Sequence, residues 1–269
     1  MIPPGEIARL AHRLGLGDKT IEKDYVLTWV LLAIANSPLR DRLAFKGGTA
    51  IKKIYEPDYR FSEDLDFTLL NDISNEELVA EIEALFPWLR REVNITLAVR
   101  KVDVHQTGNP AIYLNYIGPL RGDLVSRFLK TDFTHDEVLV FPLVEAPLRT
   151  PYSDCKKRDE TLHVYSLEEV LAEKLCALLG RTEPRDLYDI HYLLTQRLVD
   201  VESVSFRLGE KMAHKGVNPS DLEDVLGRKQ KSLSRLWEPR LRGQLLEDLP
   251  YIDAVIRETQ RWLRQGGFV

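Results

Sequence analysis

A chain of 269 residues that is 44% hydrophobic and 29% charged carries enough apolar surface for one large core or two modest ones, which excludes a disordered or low-complexity polymer. Its net charge of −5 excludes a broad, non-specific grip on nucleic acid but leaves local recognition of a short piece of RNA or DNA open. Two cysteines, Cys155 and Cys176, cannot build a disulfide framework and lack zinc spacing, which fits a reducing cytoplasm.

The start, MIPPGEIARLAHRL, lacks the charged lead and apolar run of a signal peptide. The longest apolar stretch, about ten residues over 26–35, falls far short of the ~20 that span a bilayer. A soluble, cytoplasmic protein with no membrane partner is expected. Residues 3–36 read as two helices. Pro3 and Pro4 suit a helix start, Ile7, Leu10, Ala11 and Leu14 share one face, and Gly15 and Gly17 end the pattern. A strand-like Leu43-Ala44-Phe45 is broken by Gly47-Gly48, and a short helix is expected from Thr49 to Tyr55. Leu65, Phe67 and Leu69 then alternate with Asp64, Asp66 and Thr68, the period of a half-buried strand. An amphipathic helix over 75–91 and strands over 95–104, 111–116 and 127–133 follow. After about residue 160 strand signals stop, and helices are expected over 167–179, 184–197, 200–214, 219–236 and 251–264. The chain is therefore expected to divide into an α+β region, residues 1–160, and an all-helical region, residues 161–269.

The chemistry concentrates in Lys46-Gly47-Gly48-Thr49 and in Arg60-Phe61-Ser62-Glu63-Asp64-Leu65-Asp66-Phe67. Side chains two apart on a strand point the same way, so Asp64 and Asp66 project together while Leu65 and Phe67 enter the core. Two carboxylates this close repel unless a cation or proton lies between them, and hard oxygen donors of this kind suit Mg²⁺. Asp132, placed among apolar residues in a later strand, is costly unless paired. If its strand lies beside that of Asp64, three carboxylates converge on a two-metal site for in-line phosphoryl transfer. Gly47 and Gly48 let the backbone approach a phosphate, and Thr49 adds a hydroxyl. Ser62 either binds phosphate or caps the turn before the strand. Glu63 alternates away from the acidic pair. His105, His163 and His191 stand isolated, without triad or metal spacing, and read as structural or solvent-facing.

Taken together, KGGTA…RFSEDLDF, the upstream Glu22-Lys23-Asp24-Tyr25, and the downstream Leu171-Ala172-Glu173-Lys174-Leu175 with Arg181 and Arg185-Asp186-Leu187-Tyr188-Asp189 resemble the AbiEii/AbiGii nucleotidyltransferase toxins, which include the MenT toxins. The likeness runs from about residue 20 to 195. It implies a DNA polymerase β-like nucleotidyltransferase core, a mixed sheet with flanking helices, followed by a helical C-terminal domain. It implies a nucleoside triphosphate substrate with Mg²⁺, a tRNA or other RNA 3′ end as acceptor, and the toxin's place in a toxin–antitoxin or phage-defence pair with a cognate antitoxin. The family motif often has serine where Thr49 follows Gly48. The resemblance makes Lys174 a triphosphate ligand, where the helix pattern alone also allows a surface lysine lying over an apolar face. It places an aspartate of the next helix in the active centre, Asp186 in preference to Asp189, although acidic residues there also suit the helix dipole. Arg181 is expected to face the nucleotide. A protein or small-molecule hydroxyl as acceptor, and a non-catalytic nucleotide-binding partner, are the alternatives. The C-terminal basic run Lys211, Lys215, Arg228, Lys229, Lys231, Arg235, Arg240 and Arg242 is either a solvated helix face or a docking surface for an RNA backbone, with Trp237 the best stacking aromatic.

Overall fold

Two helices lead the chain, α1 (Pro4–Leu14) and α2 (Asp18–Ala35). Gly15 closes α1 in the left-handed conformation, as the glycine pattern requires. From Ile21 to Ile34 α2 is buried almost all round, so it is a core helix rather than an amphipathic one. The structure, a computed structural model, describes residues 1–268. It falls into two compact units: residues 1–137 with 144–164, and residues 138–143 with 165 onward.

The first unit is built on a sheet that is seven-stranded among the described residues, in the order β3-β4-β5-β2-β1-β7-β6. The strands are β1 (Leu43–Lys46), β2 (Asp64–Leu69), β3 (Thr96–Val104), β4 (Pro110–Ile117), β5 (Phe128–Thr134), β6 (Leu143–Pro147) and β7 (Thr161–Tyr165). β2 lies antiparallel to β1 and parallel to β5, so the sheet is mixed. One face of its centre carries Phe45, Phe67 and Phe133, whose rings stack at 5.3 and 5.6 Å between centroids. These rings are buried, while β5 alternates strictly and leaves Phe128, Lys130 and Asp132 on the more open face.

Two expectations of the element order are corrected. Strand pairing does not stop near residue 160, because β7 joins β1 in parallel through Phe45 and Val164. The helix expected over 75–91 is two, α4 (Asn75–Glu83) and α5 (Phe86–Val93), with Pro87 placed in the first turn of the second, where its missing N–H costs nothing. The GG turn also starts its helix earlier than Thr49. The helix α3 (Gly47–Ala50) continues into a π-helical turn over Ile51–Tyr55.

The second unit is helical: α6 (Leu167–Gly180), α7 (Pro184–Thr195), α8 (Val201–Lys215), α9 (Leu222–Leu241) and α10 (Ile252–Gln265). Ser166 caps α6 by accepting from the Glu169 amide, and Asp200 caps α8 through Glu202. Pro239 lies inside α9. No helix among the described residues is long and apolar enough to cross a membrane.

A candidate nucleotidyl-transfer site

Strand β2 presents Asp64 and Asp66 half-exposed while Leu65 and Phe67 are fully buried, as period-2 alternation requires. The register with β5 places Asp66 directly opposite Asp132 and Asp64 opposite Lys130. Register partners share a face, so the three aspartates lie on one side of the sheet. On the other flank Lys46 of β1 pairs with Asp66. Across β1, β2 and β5 the row therefore reads Lys46, Asp66, Asp132.

The carboxyl of Asp132 is turned to Lys130, with Nζ 2.7 Å from Oδ2, and His105 Nε2 lies 3.8 Å from Oδ1. His105 is solvent-facing, as its reading from the sequence has it, and the β3–β4 turn brings it near Asp132. Burial pulls the Lys130 ammonium toward its neutral form, yet the hydrogen bond and charge of Asp132, helped by Tyr113 and Asp64, hold its pKa above the ordinary lysine value. Lys46 is buried, and its Nζ is 3.6 Å from Glu137 Oε2.

The glycine turn touches this group directly. Gly47 has φ +78°, and a Cβ there would stand 3.1 Å from Cγ of Asp66 and collide with its carboxylate. Glycine is required on both counts. A Cβ on Gly48 would come within 2.7 Å of Arg60 Nη2 and 3.5 Å of Ser62 Oγ. The GG pair, Asp66, Arg60 and Ser62 therefore form one packed group. Thr49 is 1% exposed and its hydroxyl donates to the Asp64 carbonyl at 2.6 Å, fastening α3 to the first residue of β2. Ser62 is partly exposed beside the pair, and Glu63 leans away to Lys23 at 3.3 Å.

Two lysines that sequence reasoning passed over support the turn from beneath. Lys53 Nζ lies 2.6 Å from Asp24 Oδ2 and 2.8 Å from Thr28 Oγ1, and the Tyr152 hydroxyl donates to the same Asp24 oxygen at 2.6 Å. Lys52 Nζ donates to the carbonyls of Pro57 and Tyr59 at 2.9 Å each and stands 4.0 Å over the Phe61 ring, which fixes the loop that delivers Arg60 and Ser62. Burial lowers the Lys52 pKa to about 8. Adjacent lysines inside an otherwise apolar helical stretch were the available signal. Glu22 is fully buried, accepts from the Leu120 amide at 2.7 Å and pairs with Arg127 at 2.5 Å, so Glu22 to Tyr25 is a scaffold for this unit.

The donor set fits a hard divalent cation: carboxylates at adjacent positions of neighbouring strands, beside a turn that admits no side chain. Their oxygens do not converge as they stand. Among the described residues no group of three or more His, Cys, Asp or Glu side chains gathers at metal-binding spacing. The Asp132 carboxylate would have to leave Lys130 to join the other two.

In the helical unit Lys174 is 8% exposed, with Nζ 2.9 Å from Asp186 Oδ1 and 2.8 Å from Asp189 Oδ2. The two candidate aspartates are thus partners of one lysine. Arg181 adds a second cation to Asp186, at 2.7 Å from Nε and 3.0 Å from Nη2. Burial pushes the Asp186 carboxyl up, but Lys174 and Arg181 outweigh it and hold the group well below the usual carboxylate range. Trp237 is corrected: it is 4% exposed and its Nε1 donates to the Pro250 carbonyl at 2.9 Å, so it is no stacking aromatic. The basic run loses two members as well. Lys211 is fully buried in an ion pair with Glu169, and Lys229 donates to the carbonyls of Leu178, Leu179 and Arg181 at the end of α6.

A family model described as the nucleotidyl transferase AbiEii toxin of type IV toxin–antitoxin systems matches residues 29–263. Among solved structures, the MenT4 nucleotidyltransferase toxin of Mycobacterium tuberculosis aligns over 100% of this chain and 89% of its own, at 20% identity and a TM-score of 0.68. JHP933 of Helicobacter pylori aligns over 93% of this chain and 92% of its own, at 18% identity and a TM-score of 0.56. No curated protein sequence matches the chain.

Proposed function

We propose a reaction from one premise: the chain belongs to the AbiEii nucleotidyl transferase toxin family of type IV toxin–antitoxin systems, and is a nucleotidyltransferase. The reaction is transfer of a nucleotide from a nucleoside triphosphate to the 3′ hydroxyl of an RNA, tRNA in the first instance. The observation that carries it is the register that sets Asp132 beside Asp66, with Asp64 on the same face and the side-chain-free turn at Gly47 in contact.

Asp64, Asp66 and Asp132 would hold Mg²⁺. When bound, the metal offsets the charge of the triphosphate and lowers the pKa of an oxygen it binds. Asp132, half-exposed at the edge of the group, would receive the proton of the acceptor hydroxyl. That oxygen bonds to the α-phosphorus as the bond to the β-phosphate oxygen breaks, and pyrophosphate leaves. Gly47 and Gly48 present backbone to the phosphates, and Ser62 offers a hydroxyl next to them. Thr49 serves the same turn by holding it to β2. Lys130 keeps the acidic face near neutrality until the substrate complex takes over that role. Lys174, Asp186 and Arg181 enter the reaction only through the family likeness. A cognate antitoxin as partner follows from the same likeness, and the two free cysteines suit a reducing cytoplasm.

The test is incubation of the purified protein with Mg²⁺ and each labelled nucleotide, against total RNA, a protein extract and small-molecule hydroxyl compounds in separate reactions. Label at RNA 3′ ends is the expected result. Label found only on protein or a small molecule removes the RNA acceptor. Nucleotide binding without pyrophosphate release in any reaction removes the transferase.

A further inference from the structure

The open face that carries the aspartates continues past them across β5, β4 and β3 into a patch of different character. Along β5, Phe128, Lys130 and Asp132 follow one another on that face, so Phe128 stands about 13 Å along the strand from Asp132 at ~3.3 Å per residue. Phe128 is 39% exposed. The Tyr113 ring of β4 lies beside it at 5.8 Å between centroids. Cations from two elements surround the pair. Arg100 is 4.9 Å over the Phe128 ring, Lys23 of α2 is 5.8 Å over the same ring, and Lys101 is 4.3 Å over Tyr113. Lys101 also meets Asp103 at 2.5 Å, and Lys23 meets Glu63. Asn115, opposite Phe128 in the strand register, is 8% exposed, and its Oδ1 has no hydrogen-bond partner.

An exposed Phe128 beside a half-buried Tyr113, with lysine and arginine over both, offers what single-stranded nucleic acid uses: π-faces for bases and point charges for the backbone. A folded duplex offers neither splayed base, and an acidic peptide would use the cations but leave both rings bare. The cations come from β3 and α2 and cover both rings. We propose that Tyr113, Phe128, Lys23, Arg100 and Lys101 form a stacking platform for the single-stranded 3′ end of the RNA acceptor, delivering its last hydroxyl toward Asp132. This rests on the transfer reading above and adds the surface that chooses the acceptor.

The test separates binding from turnover. Full-length protein is titrated with a fluorescein-labelled single-stranded RNA of mixed sequence, about a dozen nucleotides long to fill one such site, in EDTA and by anisotropy. Binding of a non-hydrolysable nucleoside triphosphate with Mg²⁺ is measured in parallel. Phe128→Ala is expected to weaken RNA about ten-fold and leave the triphosphate unchanged, while Phe128→Trp restores RNA affinity. Lys101→Gln is expected to flatten the salt dependence by about 0.7 in log–log slope, one backbone phosphate. Phe128 is a partly exposed side chain, and circular dichroism confirms that its variants fold. Equal RNA affinity in the wild type and Phe128→Ala overturns the platform and leaves the transferase reading standing. Parallel loss of triphosphate binding places the ring at the nucleotide and overturns it too. A wild type that binds no RNA but labels protein overturns the platform together with the RNA acceptor.

Discussion

The molecule holds two groups of carboxylates and lysines, and they are built to opposite rules. In the helical unit Asp186 and Asp189 are 1% and 0% exposed and share the ammonium of Lys174, with Arg181 completing the pairing of Asp186. On the sheet, Asp64, Asp66 and Asp132 are all partly open, and the cations beside them, Lys46 and Lys130, lie on β1 and β5. A buried cluster must match its charges internally, because water cannot screen a mismatch. An open cluster is screened by water and can exchange its partners, which the proposed reading requires of a group that is to take up a cation or a substrate. The contrast is between a closed group whose charges are paired inside it and a partly open one, and the proposed chemistry belongs to the second.

The sharpest way to break this contrast is at Asp66. Asp66→Ala is expected to lower nucleotide transfer on the order of 10³-fold, the scale on which a transition-state charge partner matters. Its thermal midpoint, measured alongside, shows whether the loss is one of chemistry or of folding. Retained transfer would place the chemistry elsewhere. Gly47→Ala should imitate the activity loss from the opposite side, because its new methyl meets the Asp66 carboxylate.

The helical cluster should respond in the reverse sense. Lys174→Ala leaves two buried carboxylates facing one another and is expected to cost about 3–5 kcal/mol of unfolding free energy in urea. Asp189→Asn in the same chain should return part of that. If Lys174→Ala instead keeps its stability and loses only affinity for the triphosphate, the lysine serves the substrate as the family likeness implies. The pH dependence follows from the depressed Asp186 carboxyl. The stability it contributes is present above the ordinary value of 3.8 and drains as pH falls below it toward the lower folded value. Acid unfolding of Asp186→Asn should therefore be shallower below pH 4 than that of the parent.

A smaller titration belongs to the sheet unit. Lys52 has a folded pKa of about 8 against 10.5 for a free lysine, so the unfolded chain binds more protons between those values and stability should rise with pH across that window. Urea midpoints at either end of the window, with Lys52→Met as the flattened control, measure it. Resonances of labelled Lys52 that titrate near 10.5 would refute the burial argument.

How much of this was legible beforehand follows from the range of each signal. The alternation of Asp64-Leu65-Asp66-Phe67 and of Phe128 to Phe133 is local, and it located β2, β5 and their outward aspartates directly. The helices of the second unit were legible for the same reason. Strands β6 and β7 were not, since Leu143–Pro147 is short and little buried and Thr161–Tyr165 takes its pairing from β1, far away in sequence. Nor was the company of the aspartates. That Lys130 faces Asp64 and that His105 nears Asp132 depends on register between distant segments, which no spacing encodes. Trp237 and Lys211 misled because composition records that a residue is aromatic or basic, while burial and a single partner decide what it does.

Lys130 is the point at which the two rules meet, and it gives the smallest effect. Its ion pair with Asp132 is 27% and 25% exposed, so screening by water limits its value for stability to about 0.2–1 kcal/mol. Lys130→Gln should leave the fold almost unmoved. Its consequence lies in competition: an ammonium 2.7 Å from Oδ2 occupies the oxygen that Asp132 would offer to a cation. Removing the ammonium removes the rival, and the Mg²⁺ concentration giving half-maximal transfer should fall, by up to about five-fold for an interaction of that size. A lysine that instead steadied the triphosphate would give the opposite signature, an unchanged Mg²⁺ requirement with a raised KM for the nucleotide. The open cluster is a site held ready by a displaceable cation only if the first pattern is observed, and Mg²⁺ titrations of the two proteins at saturating nucleotide decide between them.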